Sequence, residues 1–82
     1  MVRIEFDEHF KRTISKIKDS SIKARIEKLI IKIKNNPKVG KPMKHNRKGT
    51  REVYVNPFRL SYSYLKNENL LIFLDFYHKN EQ

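Results

Sequence analysis

The stretch Arg51-Glu-Val-Tyr-Val-Asn-Pro-Phe58-Arg59-Leu-Ser-Tyr62-Ser-Tyr64-Leu-Lys-Asn-Glu-Asn-Leu70-Leu-Ile-Phe-Leu-Asp-Phe-Tyr77-His78 decides the fold. It reads as three strands, over residues 51–55, 58–66 and 69–78, because apolar and aromatic runs are cut at the turn-forming pairs Asn56-Pro57 and Asn67-Glu68. Links this short can only join antiparallel neighbours, so the three form a meander. Strict alternation places Phe58, Leu60, Tyr62 and Tyr64 on one side, with Arg59, Ser61, Ser63 and Leu65 opposite. In the last strand it groups Ile72, Leu74 and Phe76 against Phe73, Asp75 and Tyr77. Arg59, Asp75 and Tyr77 are therefore predicted on the same face.

Working towards the N-terminus, residues 38–50 hold two glycines and a proline among Lys41, Lys44, His45, Arg47 and Lys48, without an acid, and read as a loop. Before it, Ile22, Ile26, Leu29, Ile30 and Ile33 recur at helical spacing, and Asn35-Asn36-Pro37 stops the helix because a residue preceding proline is pushed out of helical geometry. Phe10, Ile14 and Ile17 mark an earlier helix that Asp7 can cap, and residues 2–6 alternate as a short strand. The order β-α-α-β-β-β predicts an α+β domain spanning residues 1–82, with a helical hairpin on one face of a small, mostly antiparallel sheet. The other face is left open.

Composition bounds the function. Lys+Arg 19 against Asp+Glu 9 gives a formal net charge of +10 on 82 residues, and such an excess favours anionic partners, nucleic acid first. A chain of this size has a thin core, so chemistry is expected on an open face rather than in an enclosed cavity. There is no cysteine, which removes disulfides and thiolate chemistry, and His9, His45 and His78 do not have metal-ligand spacing. No metal or cofactor is expected. The opening residues lack an apolar signal core and the longest apolar run, Leu70 to Leu74, is far short of a membrane span, so a cytoplasmic location away from membranes is the expectation.

The segment from Arg51 to Tyr64, with Phe58-Arg59 opening a strand that reaches Tyr62, resembles the RelE/ParE superfamily of small toxins, as does the ending Tyr77-His78-Lys79. The element order matches as well. The resemblance implies a toxin of a type II toxin-antitoxin pair, neutralised by a cognate antitoxin protein. RelE-like members are metal-independent mRNA endonucleases, usually acting on ribosome-bound mRNA, whereas ParE-like members inhibit DNA gyrase. A histidine near the end of the last strand resembles the RNA-cleaving branch. A nucleic-acid-binding module without chemistry is the reading outside the family.

RNA cleavage by the 2′-oxygen needs a base, an acid and fixed cations. The resemblance makes Arg59 the scissile-phosphate ligand, and the competing role is an ion pair with Asp75. His78 is the candidate acid or base, or else a histidine capping the core, where alternation sets it beside Phe76. Tyr77 either stacks on a base or covers the sheet edge. Lys79 and Glu81 in the tail are candidates to reach a phosphate or act as a base, or else belong to a mobile terminus, and Arg51 stands where some relatives bring basic residues from the second strand. Lys41, Lys44, His45, Arg47 and Lys48 are candidates for holding backbone RNA phosphates.

Overall fold

A computed structural model describes residues 2–43 and 49–81. β1 (Arg3–Phe6) is followed by α1 (Glu8–Ser15), α2 (Ser20–Asn35), β2 (Lys41–Pro42), β3 (Thr50–Val55), β4 (Phe58–Leu65) and β5 (Leu70–His78), with single 3-10 turns at Lys66–Glu68 and Lys79–Glu81. Both helices start on an aspartate in extended geometry. Asp7 accepts the His9 amide at 3.0 Å, and Asp19 accepts the Ser21 amide at 2.8 Å, so each carboxylate satisfies a donor that the first turn leaves open.

The sheet order is β1-β5-β4-β3-β2. β1 runs parallel to β5, reached through the helices, and the other pairings are antiparallel. Phe10, Ile26, Leu29 and Ile33 from the helices close over Val53, Leu60, Tyr62, Leu71, Phe73 and Phe76 from the sheet. Tyr62, Phe73, Leu60, Leu71 and Ile33 are wholly buried. The α+β class and the helix-over-sheet layering follow the expected order.

Two local readings are corrected. The segment expected as a loop contains β2, whose Lys41 and Pro42 pair with Glu52 and Arg51 at the sheet edge. Proline is acceptable there because an edge strand bonds on one side only. The phase of β5 also changes midway: Tyr62 pairs with Phe73 and Ser61 with Asp75, so Leu74 is an extra residue, a β-bulge. Phe73 therefore turns to the helices with Leu71, while Ile72 pairs with Ser63 on the open face. After the bulge the expected phase holds, with Phe76 in the core and Tyr77 beside Arg59 on the open face.

Candidate functional site

The register brings side chains of three strands together on the open face. Tyr54, Arg59 and Tyr77 lie in one row across β3, β4 and β5, and Glu52, Ser61 and Asp75 form the next. Arg59 donates through Nη2 to the Tyr54 hydroxyl at 2.5 Å and through Nη1 to Glu52 Oε1 at 3.4 Å, and its guanidinium lies 4.7 Å from the Tyr54 ring centre. The Tyr77 hydroxyl donates to the other Glu52 oxygen, Oε2. Glu52 keeps only 9% of its side chain exposed and Arg59 keeps 22%.

This is a charged cluster with little freedom. The hydrogen bond to Tyr54, assisted by Glu52 and Tyr77, raises the Arg59 pKa above its ordinary value, so the guanidinium is a permanent cation. Its Nε is buried, and has no hydrogen-bond partner among the described residues. Glu52 is an acceptor held between a cation and a phenol, an arrangement that can take a proton from a bound hydroxyl and hand it on.

The other predicted site residues divide by position. His78 pairs with Phe58 on the helix-facing side, its ring edge-on to Phe58 with centroids 5.7 Å apart, and its Nδ1 accepts the Asn80 amide at 3.2 Å. It borders a small hollow with Thr13, Ile17 and Ile22, across the sheet from Arg59. Arg51 also faces the helices, and its Nη1 donates to the carbonyls of Lys38 at 3.2 Å and Gly40 at 2.7 Å. The structure thus separates both from the Arg59 cluster. Lys79 is exposed in the final turn, whose backbone is tied to Pro57 by a 2.9 Å bond, and Glu81 ends that turn. Lys41 is exposed on edge strand β2, next to Glu52. Lys44, His45, Arg47 and Lys48 lie outside the described residues.

The competing role for Arg59, a pair with Asp75, is replaced by the bond to Glu52. Asp75 is instead 2.9 Å from His9 Nε2 on α1. Glu52 and Tyr54 received no role from the sequence, although alternation opposite Arg51 and Val53 already put them on the side where Arg59 now reaches them. Among the described residues no group of His, Cys, Asp and Glu is placed to hold a metal ion, and no helix is long and apolar enough to cross a membrane.

Set beside known proteins, this architecture is that of the small RelE-type toxins. It superposes on the isolated Escherichia coli RelE toxin with a TM-score of 0.80 at 12% identity, covering 95% of this chain and 84% of that one. For the Mycobacterium tuberculosis toxin-antitoxin complex RelBE2 the TM-score is 0.81 at 22% identity, with 95% and 98% covered. A conserved protein of Helicobacter pylori, HP0894, matches with a TM-score of 0.65 at 23% identity over 98% and 97% of the two chains. Comparison with curated proteins finds no match. The family model for the ParE toxin of the type II toxin-antitoxin system parDE matches residues 4–82, and the chain belongs to that family, within the RelE/ParE superfamily.

Proposed function

We propose that this toxin is a metal-independent mRNA endonuclease whose site is the cluster of Glu52, Tyr54, Arg59 and Tyr77. The observation that carries the reading is the part-buried Glu52 carboxylate, bonded at one oxygen to Arg59 and at the other to Tyr77. A phosphodiester docked on Arg59 brings its neighbouring 2′-OH towards Glu52. Glu52 takes the 2′-OH proton, the 2′-oxygen attacks phosphorus, and the guanidinium stabilises the charge gathering on the phosphate oxygens. Tyr77 protonates the departing 5′-oxygen and recovers its proton from Glu52 through their hydrogen bond, which returns both groups to their starting forms. His78 takes no part in this scheme because it lies on the other face.

The solved RelE toxins include complexes with their antitoxin RelB, which supports a cognate antitoxin as the partner here. An apolar groove of about 490 Å³ between α1 and α2, lined by Phe6, Phe10, Ile14, Ile26 and Ile30, suits an amphipathic antitoxin segment. The second reading, inhibition of DNA gyrase, is favoured by the match to the ParE family model. Primer extension on translated mRNAs after induced expression separates the two: new 5′ ends within reading frames are expected, and growth arrest with DNA damage but no such ends refutes cleavage. Arg59→Ala abolishes the cuts, and His78→Gln keeps them. Repeating the cleavage on free and ribosome-bound mRNA tests where the toxin acts.

A further inference from the structure

A second cationic site lies on the helix-facing side of the sheet, away from the Arg59 cluster. Lys38 from the connection after α2, Arg51 from β3 and Lys66 from the turn after β4 line one hollow of about 260 Å³, and no carboxylate is among its lining residues. These cations come from three separate parts of the chain and converge only through the fold. Gathering like charges is unfavourable unless an anion sits among them.

The hollow has one fixed member. Arg51 is anchored through Nη1 by two backbone carbonyls, so its guanidinium is already oriented and loses little freedom on binding. Pro42 and the Tyr64 ring supply apolar walls. The volume is below the roughly 300 Å³ at which drug-sized pockets begin, which suits one ribose-phosphate unit rather than a whole nucleotide. On the edge strand Lys41 pairs with Glu52 of the open face, while its neighbour Pro42 pairs with Arg51 and lines the hollow.

From this arrangement we infer that the Lys38, Arg51 and Lys66 hollow binds a backbone phosphate of single-stranded RNA whose chain passes over the β2 edge from the Arg59 cluster. The RNA assignment rests on the endonuclease reading; the phosphate chemistry of the hollow does not.

The test uses a 2′-O-methyl oligonucleotide, which has no free 2′-OH to attack, so binding is read apart from cleavage. Lys38→Gln/Lys66→Gln is compared with Lys28→Gln/Lys32→Gln, which removes the same charge from exposed positions on α2. The first variant is expected to bind about tenfold more weakly, and its slope of log affinity against log salt to shrink by about 0.7, the value for one single-stranded phosphate no longer neutralised. The control keeps the wild-type slope. Equal slopes for the two variants overturn the inference. In parallel, the Arg51 Nε–H NMR signal is followed in the wild-type protein with inorganic phosphate, with the oligonucleotide and with a Glu-rich peptide. A shift with both phosphate ligands supports the site. A shift with inorganic phosphate alone reassigns it to free anions, and one with the peptide alone to an acidic protein; either overturns the RNA assignment. If the wild type cuts no mRNA yet the slope still falls as expected, the cleavage reading fails and the hollow stands.

Discussion

Replacing Tyr62 by phenylalanine is expected to remove a clamp and leave the ring packing in place. The Tyr62 side chain is wholly buried, and its hydroxyl donates to the Pro37 carbonyl at 2.7 Å while accepting the buried Gly40 amide at 2.9 Å. Phenylalanine fills the same space against Phe73, whose ring centre lies 6.1 Å away. What it cannot replace are the two bonds. The Gly40 amide, left without a partner, costs about 1–3 kcal/mol, and the Pro37 carbonyl, nearer to water, about 0.5–1.5 kcal/mol. The sum of about 1.5–4.5 kcal/mol is a large share of the roughly 5–15 kcal/mol that holds a domain together. For a chain of this length the melting temperature should fall by roughly 6–36 °C. Urea denaturation followed by circular dichroism measures this, with a lowered midpoint and an unchanged slope. Hydrogen exchange at the Gly40 amide should accelerate with it. A Tyr62→Phe protein within about 0.5 kcal/mol of wild type, the range of an ordinary surface change, would falsify the clamp.

Three further outcomes follow from the same geometry. Glu52→Gln keeps the shape but removes the proposed base, so cleavage should drop by about 10²–10⁴ while far-UV circular dichroism is unchanged; a folded variant with wild-type primer-extension cuts rules Glu52 out. In Gly40→Ala the new Cβ would sit 2.7 Å from the Tyr62 hydroxyl and 3.0 Å from the Arg51 Cβ, and this crowding should cost about 1–3 kcal/mol in thermal denaturation, whereas no loss would mean that the connection yields freely. Burial raises the Tyr62 pKa above tyrosine's ordinary 10.0, so past that pH the folded chain holds more protons than the unfolded one and stability falls as pH rises. Urea midpoints on either side of that pH should decline more steeply for wild type than for Tyr62→Phe, and parallel declines would contradict the assignment.

Much of this architecture was legible because its signals are local. The Asp7 cap, the 3.6-residue periodicity from Ile22 to Ile33 and the turn at Asn56-Pro57 each act within a few residues. The shared face of Arg59 and Tyr77 was also readable, since alternation is reliable over short distances. The phase of Phe73 was not. Leu70 to Leu74 is apolar throughout, so no period-2 contrast marks where the extra residue enters. Arg51 looked like a site residue because a basic side chain on a strand gives no hint that it will meet the carbonyls of Lys38 and Gly40. The contacts of Glu52 are not legible for the complementary reason: they depend on Arg59 and Tyr77, which approach it only once β3, β4 and β5 are in register. Where an acid stands diagonally across from a motif arginine on the same sheet face, that pair is the signal to seek.

The extra residue at Leu74 also determines how this chain should be compared with its relatives. Residue parity along β5 changes meaning there: an even-numbered position such as Ile72 belongs to the open face before the bulge, and an odd-numbered one such as Tyr77 belongs to it afterwards. An alignment that places a gap on the wrong side of Leu74 exchanges the site face for the core face over the last four residues of the strand. At 12% to 22% identity a sequence score barely registers such an error. Positions on this strand should therefore be assigned to the open or the core face by counting from the bulge, not from the beginning of the strand.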